Sequence, residues 1–213
     1  KAQGSASLGR AEFMVQFYDV LSETDPKEQG VEPLRQWHFR TDEEGKILWE
    51  KEYLTGGDAL YMDGEDTVLP LGTIQEEKAP EGYLLNTDIF VICANRLNNG
   101  TMVEQILDKA TIEEQVVRGN LEFVKVTGDS QKRLKNVPFR LTAQTTGESQ
   151  ILLTDSNGEG RTAESDIWFG EGEPEKGKGK LPFDTYVIEE LECEANQGYA
   201  LIPPFEVVVS QDN

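Results

Sequence analysis

The chain has little cysteine and almost no histidine. Its 213 residues include two cysteines and one histidine. Cys93 and Cys193 fall at non-equivalent places of the internal repeat described below, so a bridge between them would join two domains and free thiols are predicted. Two remote cysteines make no zinc site, and a catalytic triad would rest on His38 alone. We therefore expect neither disulfide stapling nor a metal or other cofactor.

Basic residues are scarce relative to acidic ones, and long apolar runs are absent. Forty Asp and Glu residues stand against twenty Lys and Arg residues, which gives a formal net charge of −20 at pH 7. This charge repels nucleic acid phosphates and anionic lipid surfaces. Its dispersal along the chain is typical of a solvated surface. No apolar run is long enough to span a bilayer and Lys1 begins no signal peptide, so we expect export and anchoring signals to lie outside this chain.

What the chain does contain is an internal repeat. Residues 69–83 and 181–199 each contain a Leu-Pro turn, a strand that carries a carboxylate, and a loop closed by Gly-Tyr. Upstream of each copy is a hairpin signal that begins at a threonine, Thr41 in the first copy and Thr154 in the second. The threonine precedes the Leu-Pro turn by 28 residues in one copy and 27 in the other. One structural unit is therefore used twice.

The repeat predicts two small domains, at residues 1–118 and 119–213. Nearly every periodic segment alternates between apolar and polar residues, and turn residues separate the segments, which predicts antiparallel β-sandwiches. Residues 19–36 have no counterpart in the second copy and are predicted to be an inserted surface loop. The joint at residues 118–120 is short, so we expect the sandwiches to be stacked end to end. Equivalent aromatic residues should be buried in both domains: Phe13 with Phe139, and Tyr83 with Tyr199.

The order of several motifs resembles a known family. The motifs are Lys125-Val-Thr, Leu134-Lys-Asn-Val-Pro-Phe139, Leu181-Pro-Phe-Asp-Thr-Tyr186, Glu190 and Gly198-Tyr199 in the second copy, with Leu8-Gly-Arg-Ala-Glu-Phe13 and Lys78-Ala-Pro-Glu-Gly-Tyr83 in the first. Together they cover most of the chain and resemble the B-type repeat of the collagen adhesin Cna (CnaB), which also occurs in the shaft pilins of Gram-positive bacteria. The resemblance implies a transthyretin-like (prealbumin-like) sandwich on the bacterial surface. It also implies a spontaneous Lys–Asn isopeptide bond promoted by a buried Glu.

The residues themselves support this chemistry. An amide crosslink needs a neutral lysine amine as nucleophile, and burial among apolar side chains lowers the pKa of a lysine. It also needs an acid that polarises the Asn carbonyl, and burial raises the pKa of a carboxyl so that it stays protonated. Alternation along the strand puts Lys125 on the face of Leu121 and Phe123. Lys125 is therefore the predicted nucleophile of the second domain.

Alternation also selects which glutamates face inward. Glu190 shares a strand face with Tyr186 and Ile188. Glu76, like Glu190, lies an odd number of residues after the leucine of its own Leu-Pro turn, so both side chains should point the same way. The alternative is that both are ordinary exposed strand residues, where most glutamates lie; their repetition favours the inward orientation. We therefore expect Lys125 and Glu190 to lie side by side on neighbouring strands with the carboxyl protonated, and Glu76 to be the matching candidate of the first domain.

The match to the family is incomplete at both ends. The lysine strand of the first domain would precede the Ala-Glu-Phe element at residues 11–13 by more residues than the chain supplies, so we expect that strand outside this chain and no nucleophile beside Glu76. The acceptor asparagine of the second domain is expected on a final strand after residues 205–209. Asn213 is the only candidate near that place, although it falls where a turn before that strand is expected.

Two classes of function follow. The first is a structural or adhesive module of a Gram-positive cell-surface protein or pilus: a rigid stalk segment, anchored to the wall through sequence outside this chain, whose partners are the neighbouring domains. The second is an adhesin domain that recognises a host matrix protein or glycan through residues 19–36 or through Trp37, Trp49 and Trp168. A hydrolase with paired carboxylates is disfavoured, because adjacent strand glutamates point to opposite faces. We expect no enzyme, no nucleic acid partner and no membrane insertion in this segment.

Overall fold

The computed structural model describes residues 4–20, 22, 24–60, 71–93 and 111–210. These residues form β-strands and two short 3-10 helices, Pro26–Gln29 and Glu194–Asn196, and no α-helix. Within them, no helix has the length and apolar character needed to cross a membrane. The strands are β1 (Glu12–Tyr18), β2 (Arg35–Arg40), β3 (Leu54–Gly57), β4 (Leu71–Lys78), β5 (Tyr83–Leu84), β6 (Ile89–Cys93), β7 (Gln115–Val116), β8 (Arg118–Gly119), β9 (Glu122–Val124), β10 (Pro138–Ala143), β11 (Ser149–Leu153), β12 (Glu159–Arg161), β13 (Leu181–Pro182), β14 (Asp184–Glu190) and β15 (Phe205–Val209).

The chain divides into two compact units. The N-terminal unit is Ser7–Gln115, and the C-terminal unit comprises the residues from Val116 onward together with the start of the chain. Ser5 belongs to the C-terminal unit, where its N–H donates to the carbonyl of Phe183 at 3.0 Å. This division differs from the predicted domains 1–118 and 119–213 chiefly in where it puts the first six residues.

Each unit is built on an antiparallel sheet with the same strand order. The sheet of the N-terminal unit runs β3-β2-β1-β4-β6, and that of the C-terminal unit runs β11-β10-β14-β15. Apart from the extra edge strand β3, the two orders are the same. Short ladders, β12 with β9 and β13 with β8, complete the C-terminal unit, and β5 pairs with β7. The predicted all-β class with antiparallel sandwiches is confirmed.

The repeat extends to individual hydrogen bonds. In each unit, the hydroxyl of the threonine that opens the hairpin accepts one backbone N–H and donates to one backbone carbonyl. The carbonyl belongs to the residue three positions before the one that supplies the N–H. The N–H, the carbonyl and the hydroxyl belong to Ala11, Leu8 and Thr41 in one unit and to Val137, Leu134 and Thr154 in the other. All four distances lie between 2.8 and 2.9 Å. Between them, Arg10 and Asn136 have positive φ values of 67° and 59°, which non-glycine residues seldom adopt. A hydroxyl that satisfies two backbone groups fixes the hairpin against the first strand.

Each unit has its own apolar core. Trp37 and Phe39 are fully buried in the N-terminal unit, packed with Val15. The core of the C-terminal unit is larger and consists of Leu134, Val137, Phe139, Leu141, Ala143, Leu152, Ile167, Phe169, Leu181, Tyr186, Ile188 and Val209. Inward residues of β10 and β14 supply five of the twelve, because alternation places every second side chain on one face of the sheet.

Three of the four aromatic residues predicted to be buried are buried. Phe13, Phe139 and Tyr83 lie in the interior, but Tyr199 is 42% exposed, so that part of the prediction is wrong. Tyr83 begins β5, which pairs with β7, whereas Tyr199 follows the second 3-10 helix in coil. The second tyrosine therefore lacks the strand pairing that the first one has.

Residues 19–36, predicted to be an inserted loop, contain local structure of their own. The 3-10 helix Pro26–Gln29 begins after Asp25, whose carboxylate accepts the N–H of Lys27 at 3.0 Å. It ends at Gly30, which has φ 75°, a conformation suited to glycine. The last two residues of the segment already belong to β2.

Candidate functional site

Lys125 directly follows β9, and its backbone is held on both sides. Its N–H donates to the carbonyl of Gly158 at 2.7 Å, and its own carbonyl accepts the N–H of Leu134 at 3.0 Å. Gly158 has φ 73°, and a Cβ atom there would lie 2.9 Å from the Lys125 carbonyl oxygen. Glycine therefore fits this close approach and other residues do not. The result is a fixed backbone from which the lysine side chain points into the core.

Glu190 is the last residue of β14 and lies opposite Phe139 in the β10 ladder. Its Oε2 is 2.8 Å from Lys125 Nζ. The lysine and glutamate side chains are 8% and 0% exposed, respectively. The adjacent Glu189 points the other way and meets Arg140 at 3.0 Å on the surface. The structure thus brings together the two residues that strand alternation selected.

Two details of the expected pair are wrong. Lys125 and Glu190 do not lie on neighbouring strands, because β9 pairs with β12 whereas β14 lies between β10 and β15; their contact crosses from one sheet to another. The surroundings of the carboxyl also oppose the expected protonation. Burial raises the pKa of Glu190, but the N–H of Ile202, the Lys125 and Asn196 side chains and the lysine charge together outweigh burial, so the pKa lies below its ordinary value.

Asn196 is a third member of this cluster, and sequence reasoning missed it. Its Nδ2 donates to Glu190 Oε1 at 3.0 Å and to the carbonyl of Leu191 at 2.9 Å. Its Oδ1 accepts the N–H of Cys193 at 2.8 Å. When the two Gly-Tyr ends of the repeat are aligned, Asn196 stands where the first copy has Pro80. A polar residue in place of that proline was the available signal.

The second carboxylate oxygen of Glu190, Oε2, also accepts hydrogen bonds. Oε2 accepts the N–H of Ile202 at 3.0 Å in addition to Lys125 Nζ. The buried carboxylate therefore has three donors, which explains how a charge is tolerated in the core. Asn213, the acceptor indicated by the sequence, lies outside the described residues. Its role stays a prediction.

Glu76, the equivalent glutamate of the N-terminal unit, is buried in a different environment. Its Oε2 accepts the N–H of Asn86 at 2.7 Å. Its side chain also meets that of Glu114. Glu76 Oε1 and Glu114 Oε2 are both buried, and neither is offered a hydrogen by another group of the described part. The partner of Glu76 is thus a second carboxyl, and its role as a crosslink promoter stays a prediction.

The two carboxyls of the N-terminal unit titrate as a pair. Burial raises the pKa of Glu114 to about 7, and the charge of Glu76 and the hydrogen bond between them add to this effect. Burial also raises the pKa of Glu76, while hydrogen bonds with Asn86 and Glu114 oppose it. A single proton held between Glu76 and Glu114 turns two acceptors without a donor into one hydrogen bond.

The three tryptophans considered as a glycan-binding surface take part in packing contacts within the protein. Trp37 is fully buried, and its ring centroid lies 4.8 Å from that of Trp49 in an edge-to-face contact. Trp168 lies beneath Arg118, whose Cζ is 3.7 Å from the ring centroid. Such contacts are typical of core and edge packing. These rings therefore do not support a sugar site.

His38 and Cys193 are the other described side chains that the sequence analysis weighed for chemistry. His38 Nδ1 lies 2.6 Å from a Glu77 carboxylate oxygen at the surface. Cys193 is a free thiol. Within the described ranges, no group of three His, Cys, Asp or Glu side chains is placed to hold a metal ion.

Comparison with known proteins bears on the fold. No protein-family model matches this chain, and no curated protein matches it. Among solved structures, the TIE protein of Bacillus anthracis is similar at 19% identity and a TM-score of 0.52; the match covers 95% of this chain and 28% of that one. The chain thus spans little more than a quarter of that protein.

Two pilus proteins of Gram-positive bacteria also match. A minor pilin of Streptococcus agalactiae is 13% identical with a TM-score of 0.30, over 97% of this chain and 79% of the pilin. A C-terminal fragment of a pilus adhesin from Lactobacillus rhamnosus GG is 15% identical with a TM-score of 0.36, over 94% and 74%. At these identities the comparisons bear on the fold alone, and the resemblance to the CnaB repeat stays a prediction.

Proposed function

We propose that this chain is a structural segment of a Gram-positive cell-surface protein or pilus, stiffened by a covalent Lys–Asn crosslink in its C-terminal unit. The observation that carries the proposal is the buried cluster of Lys125, Glu190 and Asn196. Replacing a buried ion pair by apolar residues is often neutral or stabilising, so stability alone is a weak reason for keeping such a cluster. In this proposal the partners are neighbouring domains of the same surface protein, which is anchored to the wall through sequence outside this chain.

The crosslinking step balances within the cluster. Lys125 Nζ attacks Cγ of an asparagine side chain, a C–N bond forms, and the amide nitrogen leaves as ammonia. In the ion pair Nζ carries three protons: Glu190 Oε2 is placed to take the first, which frees the amine for attack. The second passes from the attacking nitrogen through Glu190 to the leaving nitrogen, which Oε1 already contacts as Asn196 Nδ2, and Glu190 ends protonated. The charged state of Glu190 suits this base-then-acid role. The N–H of Cys193 would stabilise the charge that develops on Asn196 Oδ1.

Two asparagines are candidates for the acceptor. Asn196 already contacts Glu190, and the backbone N–H of Cys193 polarises its carbonyl. Asn213 is the residue that the family resemblance indicates near the end of the chain. Either bond would close a loop that constrains the unfolded chain as a disulfide does, but no reductant would break it.

Intact mass spectrometry under denaturing conditions tests the crosslink. We expect the parent chain to be lighter than its sequence by the mass of one ammonia, and the Glu190→Ala variant to have the full mass. Glu189→Ala is the matched control, because Glu189 is the adjacent glutamate but points outward to Arg140; it should keep the loss. A parent chain of full mass would refute the crosslink and leave a buried ion pair.

Digestion after glutamate identifies the acceptor. Lys125 lies in the fragment 123–148, Asn196 in 195–206 and Asn213 in 207–213. We expect the first fragment to be joined to one of the other two, and the substitutions Asn196→Ala and Asn213→Ala to abolish the bond only at the true acceptor. Trypsin cannot make this distinction, since residues 181–213 contain no lysine or arginine.

A stalk segment should also resist bending between its units. The sequence predicts a short joint at residues 118–120, and the structure divides the units between residues 115 and 116. From a short joint we expect small-angle scattering to show an elongated particle with a narrow range of dimensions. A compact or widely varying particle would contradict the stalk role without bearing on the crosslink.

A further inference from the structure

Strand β11 is an edge strand of the C-terminal unit, bonded on one side to β10. The N–H of Thr154, just past β11, donates to the carbonyl of Val137 at 3.1 Å. Backbone groups of an antiparallel strand face its partner at every second residue. The N–H and C=O groups of Ile151 and Leu153 therefore point away from β10, towards the open edge.

The first part of this edge is covered by side chains. Gln150 accepts the N–H of Trp168 at 3.2 Å and donates to the carbonyl of the same residue. Glu148 accepts the N–H of Gly170 at 3.0 Å. These contacts tie the segment 168–170 to the beginning of β11 without a backbone ladder. Residues 164–167, which precede Trp168 in the sequence, line a groove beside β11.

The groove has a volume of about 440 Å³. It is lined by residues 150–153 and 164–167 and by Asp155, Glu159 and Arg161. Ile151 and Leu153 belong to the lining and are 48% and 57% exposed, respectively. Edge strands are commonly blocked by lysine, proline or a bulge, but β11 reads Ser-Gln-Ile-Leu-Leu and is regular along its ladder. An open ladder beside apolar side chains is the arrangement that accepts an added strand.

The charge of the groove selects the kind of strand. Asp155, Glu159, Glu164 and Asp166 are acidic, and Arg161 is the single basic residue of the lining. Arg161 pairs with Glu159 at 2.6 Å and with Glu164 at 3.5 Å, so the lining keeps an excess of negative charge, chiefly at Asp155 and Asp166. A second copy of the chain is a poor occupant, because each copy carries a net charge of −20 and the copies repel one another. A cationic segment is attracted by the same field.

We propose that the β11 groove binds an extended, basic segment of a partner protein, which adds to the sheet as a strand beside β11. Its backbone bonds to the free N–H and C=O groups of Ile151 and Leu153. Its apolar side chains lie on those of Ile151 and Leu153, and its lysine or arginine side chains meet the acidic wall. This site is separate from the Lys125 cluster and does not depend on the crosslink.

Titration of the isotope-labelled chain with a blocked peptide of alternating lysine and valine tests this site by NMR. We expect shift changes at residues 150–153 and 164–167, and slower hydrogen exchange of the Ile151 and Leu153 amides, because both become hydrogen-bonded. A peptide with glutamate in place of lysine should not bind. A peptide with glycine in place of valine lacks the apolar contact, so its affinity should be lower by a factor of about ten or more.

Point variants separate the groove from general attraction to an acidic protein. Ile151→Lys and Leu153→Lys change exposed side chains, so the fold should persist, and each should weaken binding of the lysine–valine peptide about tenfold. Val208→Lys is the matched control, because Val208 is an exposed residue of β15 on the opposite edge; it should leave binding unchanged. The proposal is overturned if the peptide fails to bind, perturbs β15 instead, binds equally well with glycine or glutamate, or is insensitive to both β11 variants.

Discussion

Replacing Glu190 by alanine should lower the free energy of unfolding of the C-terminal unit by about 3–5 kcal/mol. The substitution leaves Lys125 Nζ in the core without its counter-charge. It also removes the acceptor of Asn196 Nδ2 and of the Ile202 N–H. Unpaired buried donors and an unpaired buried charge are among the few causes of so large a loss. Denaturant unfolding of the whole chain, followed as separate transitions for the two units, measures the change.

Matched variants isolate the cause of this loss. Glu189→Ala removes the exposed partner of Arg140 and should cost no more than about 0.5 kcal/mol, as for other surface pairs. Combining Glu190→Gln with Lys125→Met removes both charges, so the double variant should be more stable than Glu190→Ala. A loss below about 1 kcal/mol for Glu190→Ala would show that Lys125 reaches water or another partner in the folded chain. If the parent chain carries the crosslink, both Glu190 variants lack it, and their free energy of unfolding falls further for that reason.

Much of this cluster could be predicted because strand alternation is a local property. Lys125 and Glu190 each lie in or beside a short run bounded by turn residues, so the face of each side chain follows from parity. The same rule placed Glu76 inside its unit. Repetition strengthened each prediction, since two copies with the same parity are hard to reconcile with a chance pattern.

The rest could not be predicted because it depends on chain segments that are brought together only by the fold. Asn196 reaches Glu190 through the 3-10 helix that follows β14, and alternation does not extend past the end of a strand. Glu114 lies 38 positions after Glu76, just before β7. The charge of Glu190 depends on the Ile202 N–H, a donor that no sequence pattern marks. Protonation states follow from the complete set of donors around a group, which only the folded chain supplies.

The two units should respond to pH with opposite signs. In the C-terminal unit, the lowered pKa of Glu190 contributes stability that is present above the ordinary glutamate value and is lost as the pH falls. In the N-terminal unit, the pKa of Glu114 is raised from 4.5 to about 7. The folded unit therefore binds more protons than the unfolded chain in this range. This contribution to its stability is fully present below pH 4.5 and is lost as the pH rises through about 7.

Replacing Glu114 by glutamine should abolish most of this alkaline loss. The amide stays neutral, and its Nε2 can donate to Glu76 Oε1, the buried oxygen that otherwise depends on a shared proton. With allowance for the partial exposure of Glu114, we expect the variant to be about 1–2 kcal/mol more stable than the parent near pH 8 and nearly equal to it near pH 5. Calorimetry of the two unfolding transitions across this range measures the difference.

Glu113→Gln is the matched control for this prediction. Glu113 is the adjacent glutamate, its side chain is exposed, and its contact with Asn86 runs through the backbone carbonyl, which the substitution keeps. This variant should retain the alkaline loss of the parent, although it removes the same formal charge. If Glu113→Gln and Glu114→Gln stabilise the N-terminal unit equally at pH 8, the effect comes from the net charge of −20 and not from a proton held between Glu76 and Glu114. If only Glu114→Gln flattens the profile, the buried carboxyl pair is its source.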